Sequence, residues 1–138
     1  MTGAPVTGAY AGLCALILLA LALRVSWVRR ARGINLGDAG DPALMRAVRA
    51  HANAAEYMPL TLILLLVVEL AGAAGWVLHA AGIALVTGRI LHGLGLNRSD
   101  RAGIGRVVGM VLTWGVLATL AGAALAVGAG LPLPGLPA

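Results

Sequence analysis

The sequence predicts an all-α integral membrane protein, a bundle of four helices, from two observations. First, 60% of its 138 residues are hydrophobic and the mean hydropathy is +0.94, far above ordinary globular proteins. Second, four apolar segments are each long enough to cross a hydrocarbon core, which takes about 20 helical residues. These segments lie at about residues 6–28, 42–71, 76–96 and 103–128. With short loops between them they use nearly the whole chain, so we predict one transmembrane domain over residues 1–138.

The positive charges are distributed unevenly along the chain. Its net charge of +5 comes from ten arginines without any lysine, and every arginine lies in or beside the first or the third connection. Because positively charged loops stay in the cytoplasm, we predict that both of these loops are cytoplasmic and that both termini are outside. Anionic lipid headgroups are suitable partners for such loops, so nucleic-acid binding is not expected.

The first segment is predicted to remain as a helix, because its arginines follow the apolar run, whereas those of a signal peptide precede it. Gly8 and Gly12 have the GxxxG spacing that lets another helix approach closely in lipid. Cys14 is interpreted as a small buried or lipid-facing residue. At the end of the helix, the sequence WVRRARG places Trp27 in the aromatic belt. The arginines beside it are interpreted as a topology signal, with ligand binding as the alternative.

The second helix has a clear start and two unusual residues further along. Asp41 followed by Pro42 is typical of an N-cap and a first helical position. Pro59 has no amide hydrogen and is predicted to bend the helix. Glu69 lies within a turn of the outer interface, and we predict that it is solvated.

One face of the second helix is polar although the segment is apolar enough to span a membrane. The steps of three and four residues that define one helical face join Arg46, Arg49, Asn53 and Glu56. Tyr57 lies at the edge of this face, and His51 points roughly the opposite way. The polar face is therefore predicted to run from the interface into the bilayer.

The third helix contains an arginine at a depth similar to that of Glu56. A buried charge without a partner costs several kcal/mol, so we predict that Glu56 and Arg89 pair directly or through a shared ligand. His92 lies one turn nearer the cytoplasm on the same face as Arg89. His79, near the outer surface, is predicted to pack or to form a hydrogen bond, and no metal site is expected.

The fourth helix is rich in small residues that suit close packing within or between subunits. They are Gly105, Gly109, Ala118, Gly122 and Ala126. The loop before this helix offers Arg101, and its first turns offer Arg106.

Polar and ionisable groups at membrane depth indicate a functional site, here Arg49, Asn53, Glu56 and Arg89. Guanidinium groups clamp carboxylates, whereas asparagine both donates and accepts hydrogen bonds. This combination suits a small zwitterionic ligand with several carboxylates. A thiol-bearing ligand would gain further, because a nearby arginine favours the thiolate.

The sequence RAVRAHANAAEYMP also resembles the second-helix motif of the MAPEG family, the membrane-associated proteins in eicosanoid and glutathione metabolism. Arg49, Asn53, Glu56, Tyr57 and Pro59 match that motif in order and spacing. The flanking sequences GDAGD and VELAGAAGWVLHAAGIALVTGRILHGLGL are similar to the bacterial inner-membrane branch, and the resemblance is good over about residues 34–96.

The resemblance implies a homotrimer in the bacterial inner membrane that holds glutathione between subunits and takes a lipophilic substrate from the bilayer. By position, the glutathione ligands would be Arg49, Asn53, Glu56, Tyr57, Arg89 and His92. Arg30 is similar to an arginine that reaches across from a neighbouring subunit, and His51 matches a position where some members have a polar ligand. Arg106, or alternatively Arg101, would stabilise the thiolate.

The resemblance thus favours a glutathione transferase or peroxidase acting on lipophilic electrophiles or hydroperoxides. Leu96 stands where eukaryotic members commonly have a tyrosine, and the helix-four arginine aligns only with a small insertion, so catalytic activity is left open. The alternatives are a noncatalytic membrane binding or scaffold protein, and a small proton-coupled transporter that uses Glu56. A further possibility is that Arg49, Asn53, Glu56 and Arg89 form a buried network joining helices two and three without a ligand.

Overall fold

A computed structural model describes residues 3–98 and 103–132 of the chain. Its helices are α1 (Pro5–Arg32), α2 (Pro42–Leu70), α3 (Gly75–Arg98) and α4 (Ile104–Gly128), and these ranges include no strand. Each helix is long and apolar enough to cross a membrane. The predicted all-α class with four membrane-spanning helices is therefore confirmed.

The ends of the first two helices follow from local sequence signals. α1 continues four residues past the predicted residue 28, to Arg32, because arginine is a good helix former. Gly33, which follows it, caps the helix in a left-handed conformation with a φ of 67°. At the start of α2, the Asp41 carboxylate accepts a hydrogen bond of 2.8 Å from the Leu44 amide. α2 then continues through Pro59 as one helix.

The central pair of the bundle is α2 and α3, which contact each other and also both remaining helices. α1 and α4 pack on opposite sides of this pair, and no contact joins them within the described ranges. The buried core between the helices is formed mainly by leucine, together with Met58 and Cys14. Cys14 is thus a small buried residue, one of the two environments predicted for it.

Glycines set the distance between α3 and α4. A methyl group on Gly109 would lie 2.5 Å from the carbonyl oxygen of Gly88 and 2.6 Å from the amide nitrogen of His92. Closer to the loop, a methyl group on Gly95 would lie 2.7 Å from the amide nitrogen of Arg106. Because these obstacles are backbone atoms, the two helices need glycine at these positions.

Some of the other glycines do not lie at a close contact between helices. A methyl group on Gly8, Gly12 or Gly122 would meet nothing within 4 Å. The predicted packing role therefore holds for Gly109 inside the subunit, whereas the Gly8 and Gly12 face of α1 is open within the described chain.

Glu69, predicted to be solvated, is half-buried and also has partners in the protein that the sequence did not indicate. Its carboxylate accepts hydrogen bonds from the backbone amides of Val6, at 2.9 Å, and Thr7, at 2.7 Å. The first amides of a helix have no acceptor within that helix, and no side chain of α1 caps its own start. Glu69 of α2 supplies the missing acceptor. Nearby, His79 Nδ1 lies 3.0 Å from the hydroxyl oxygen of Tyr10, which gives this histidine the hydrogen-bonding role predicted for it.

Candidate functional site

A cavity of about 210 Å³ lies between α2, α3 and α4. Its lining contains three arginines, an amide, an imidazole and two apolar side chains: Met45, Arg46, Arg49, Asn53, His92, Leu96 and Arg106. None of these lining residues carries a carboxylate. The cavity therefore suits an anionic ligand that can accept several hydrogen bonds.

The local sequence explains why these side chains converge. Arg46, Arg49 and Asn53 follow one another at helical steps of three and four on α2, as the sequence predicts. His92 and Leu96 are four residues apart on α3. Arg106 joins them because the close contact at Gly95 brings the first turn of α4 against α3. Four predicted site residues, Arg49, Asn53, His92 and Arg106, thus line one cavity.

Arg89 lies in the interior of the bundle and is 2% exposed. Its Nη1 donates a hydrogen bond of 2.9 Å to Oδ1 of Asn53, and its Nη2 donates one of 2.6 Å to the hydroxyl of Thr113. The guanidinium carbon also lies 5.7 Å from the centre of the Tyr57 ring, within cation–π range. Arg89 is not among the residues lining the cavity, but its hydrogen bond orients Asn53, which does line the cavity.

Direct pairing of Glu56 with Arg89, one of the two predicted arrangements, does not occur. Glu56 is exposed on the surface of α2. The ion pair found in the described ranges joins Arg32 and Asp41. Arg89 points inward, where the neutral oxygens of Asn53 and Thr113 accept its hydrogen bonds. The bond between Arg89 and Asn53 does join helices two and three. Arg49 is exposed like Glu56, so neither belongs to a buried network within this chain.

Thr113 was not found from the sequence, although it is fully buried and binds Arg89. A single hydroxyl in an apolar helix is a weak signal, because threonine commonly donates to its own helix. Thr113 does this as well, with a hydrogen bond of 2.8 Å to the Gly109 carbonyl. The signal that could have indicated Thr113 is the buried Arg89 of α3, because a buried guanidinium requires hydrogen-bond acceptors on the helices packed against it.

The other predicted site residues lie away from the cavity lining. Tyr57 and His51 are half-buried on α2, and Arg30 lines a separate pocket at the end of α1. Arg101 lies outside the described residues. Arg106, the other candidate thiolate-stabilising arginine, lines the cavity.

Comparison with known proteins agrees with this architecture. The model of the MAPEG family matches residues 7–126. The chain is 38% identical over 109 residues to the inner membrane protein YecN of Escherichia coli strain K12, an alignment covering 79% of this chain and 82% of that protein. The same values hold for YecN of Escherichia coli O6:H1. Together with the four membrane-spanning helices, this similarity confirms the predicted inner-membrane location.

Proposed function

The chain belongs to the MAPEG family, and from this premise we propose that it binds glutathione in the arginine-lined cavity. We further propose that it uses the bound thiol as a transferase or peroxidase toward lipophilic electrophiles or hydroperoxides. The observation that carries the proposal is the convergence of Arg49, Asn53, His92 and Arg106 on one cavity without a lining carboxylate.

Glutathione has the chemistry that this lining would recognise. It carries two carboxylates, an amino group, two amides and a thiol. Arg49 can clamp a carboxylate in bidentate fashion, and Asn53 can bond a peptide group. Arg106 can stabilise the thiolate, since a nearby cation favours the ionised thiol.

The proposed reaction begins with loss of the thiol proton to water, which leaves a thiolate beside Arg106. With an aryl halide, a carbon–sulfur bond forms and the halide departs with its electron pair. With a hydroperoxide, the thiolate attacks the terminal oxygen and becomes a sulfenic acid as the oxygen–oxygen bond breaks. The departing alkoxide takes back a proton from water and leaves as the alcohol. A second glutathione then yields the disulfide and water, so glutathione is the reductant.

We also propose that the functional unit is a homotrimer. Glu56 and Arg49 are exposed on a helix that spans the membrane. A carboxylate facing hydrocarbon is unfavourable by several kcal/mol on most estimates, so contact with a neighbouring subunit would stabilise it. In such an assembly Glu56, Tyr57 and His51 would complete the glutathione site from the subunit boundary. Native mass spectrometry of the purified chain should give a trimer, and a monomer in mild detergent would contradict this arrangement.

A second candidate function is noncatalytic binding of the same ligand. The observation that favours it is Leu96, which lines the cavity with an isobutyl group at the position of a family tyrosine. A site without that hydroxyl retains the arginines needed to bind glutathione but has one fewer proton donor for catalysis.

The decisive experiment measures binding and turnover on the same protein. Calorimetry and the ultraviolet absorbance of the thiolate would follow glutathione binding. Conjugation of an aryl halide and reduction of a lipid hydroperoxide would follow turnover. Replacing Arg106 with glutamine should abolish the thiolate signal and reduce turnover by about a hundredfold to a thousandfold, the range for loss of an electrostatic contact to the reacting group.

Arg32→Gln is the matched control, because it removes the same charge from a residue paired with Asp41 outside the cavity. It should retain both binding and turnover. Absence of glutathione binding by the wild-type protein would refute the whole proposal. Binding without turnover above the Arg106→Gln variant would select the noncatalytic function.

A further inference from the structure

The polar contacts of Arg89 form a directed chain of hydrogen bonds that crosses three helices. Arg89 Nη2 donates to the Thr113 hydroxyl oxygen at 2.6 Å, and that hydroxyl donates to the Gly109 carbonyl at 2.8 Å. The sulfur of Met110, at 3.4 Å from the same nitrogen, is a weak acceptor, so Thr113 determines the direction of Nη2. On the other side, Nη1 donates to Oδ1 of Asn53 at 2.9 Å.

The direction of every bond in this chain follows from the chemistry of its members. A guanidinium has donors and no acceptor, so the atom of Asn53 that faces Arg89 must be the oxygen. Thr113 directs its hydrogen toward Gly109, which leaves an oxygen lone pair for Arg89. The orientation of the Asn53 amide is thereby fixed, although its oxygen and nitrogen have similar shapes.

Close packing between α3 and α4 holds Thr113 in this place. Thr113 is fully buried, and the glycine beside Arg89 leaves room for it. A methyl group on Gly88 would lie 3.1 Å from the Thr113 hydroxyl oxygen and 2.9 Å from the Gly109 carbonyl oxygen. Thr113 is not among the residues that line the arginine-lined cavity, so its influence on a ligand must pass through other side chains.

Asn53 does line the cavity, where its fixed orientation has a chemical consequence. Its oxygen is engaged by Arg89, so the group that it offers to a ligand is its NH₂. The arginines of the lining also carry only donors. We infer that Arg89 and Thr113 are positioning residues that make Asn53 a hydrogen-bond donor to a carbonyl or carboxylate oxygen of the ligand. A ligand ammonium or amide N–H is excluded from this position, an assignment that rests on the proposed ligand-binding function of the cavity.

Asn53→Ala and Asn53→Asp test the donor role in the full-length protein. Alanine only removes the donor, whereas aspartate keeps an oxygen toward Arg89 and presents a second, negatively charged oxygen to the ligand. Calorimetry would use glutathione and also tricarballylate, a small tricarboxylate that has acceptors but no donor when ionised. Asn53→Ala should raise the dissociation constants by about threefold to tenfold, the range for one hydrogen bond, and Asn53→Asp by about a hundredfold or more. Met45→Asp places an equal charge at an exposed position of the same lining, and it should weaken binding much less than Asn53→Asp.

Variants of Thr113 test the positioning role. Thr113→Val removes the acceptor for Arg89 and should weaken binding of both probes by about threefold to tenfold, although Thr113 does not line the cavity. Thr113→Ser restores the hydroxyl and should bind like the wild-type protein. In protein that already carries Asn53→Ala, Thr113→Val should have no further effect, because a positioning residue acts only through the residue that it positions. Thr119→Val is the control, since it changes an exposed hydroxyl bonded within its own helix, and it should bind like the wild-type protein.

Two results would overturn this assignment while leaving the proposed function intact. One is binding of glutathione by Asn53→Asp that is as strong as in Asn53→Ala or no weaker than in Met45→Asp, and this comparison decides even where Thr113→Val does not fold. The other is an equal effect of Thr113→Val with and without Asn53→Ala, which would show a general structural role. Tricarballylate binding with the expected pattern, but without glutathione binding, would refute glutathione as the ligand and support the donor role. Failure of the wild-type protein to bind either probe would overturn both.

Discussion

Arg89 holds its charge in the bundle interior through hydrogen bonds to neutral partners. Asn53 from α2 and Thr113 from α4 each accept a hydrogen bond from it, so one side chain of α3 connects three helices. Removing one partner of a buried charged group costs more than losing an ordinary hydrogen bond, because the donor is left without solvent. The contact with Thr113 should therefore matter to stability.

Thr113→Val should lower the free energy of unfolding by about 1–3 kcal/mol, since valine has nearly the same shape but cannot accept from Arg89. Thermal unfolding in detergent micelles would measure the change. Thr119→Val is the control, because the Thr119 hydroxyl is exposed and donates to the Gly115 carbonyl of its own helix. A similar loss of stability in both variants would show that the bond to Arg89 is unimportant.

Glu69 provides a second test at the level of one side chain. Glu69→Gln should destabilise the start of α1 by about 0.5–2 kcal/mol, because a neutral amide is a weaker acceptor for the amides of Val6 and Thr7. Hydrogen exchange should become faster in the first turn of α1. Glu56→Gln changes the same group at an exposed position, and it should leave exchange in that turn unaltered.

The site residues that could be predicted from the sequence are the polar and charged ones, because such side chains are unusual in membrane-spanning helices. Arg49, Asn53 and His92 stand out in apolar helices, and the structure gathers them with Arg106. The hydrogen bonds of Glu69 could not be predicted, because its partners are 62 and 63 residues away in the chain. Such contacts depend on which helices become neighbours, and periodicity does not contain that information.

At the level of helices, local signals predicted the ends well. Asp41 and Pro42 start α2 as expected, because capping uses residues within one turn. Which helices pack together was harder to predict. Gly8 and Gly12 have the same four-residue spacing as Gly105 and Gly109, yet within the described chain close packing involves Gly109 and not the first pair.

The close contact between α3 and α4 predicts that adding one methyl group at Gly109 destabilises the protein. Gly109→Ala should push the helices apart and cost about 1–3 kcal/mol, since the added carbon would collide with the backbone at Gly88 and His92. Gly122→Ala on the same helix meets nothing within 4 Å and should be neutral or slightly stabilising. Thermal unfolding of both variants would compare them directly, and equal midpoints would contradict the close contact.

For the whole molecule, the distribution of arginine predicts an orientation that can be measured. Both arginine-rich loops should be cytoplasmic and both termini outside. Alkaline phosphatase fused to the carboxyl terminus should be active in cells, whereas a fusion in the loop between α1 and α2 should be inactive. The reverse pattern would refute this orientation and move the arginine-lined cavity to the outer side.

The number of helices could be predicted because hydropathy reports each span separately. Their arrangement could not, because lipid is as apolar as the helices and gives no hydrophobic preference for one pairing over another. The order seen here, with α2 and α3 between α1 and α4, depends on particular contacts such as those of Gly95 and Arg89.

The clustered arginines of the cavity offer a way to identify the natural anionic ligand of this protein. Like charges at one site repel one another, so an anion bound among them would offset that repulsion. Any such anion raises the melting temperature in proportion to the logarithm of its concentration relative to its dissociation constant. Heating the purified protein with fractions of a cell extract would therefore rank natural anions by fit. The melting temperature of the protein would report binding directly, so no thiol would have to be chosen beforehand.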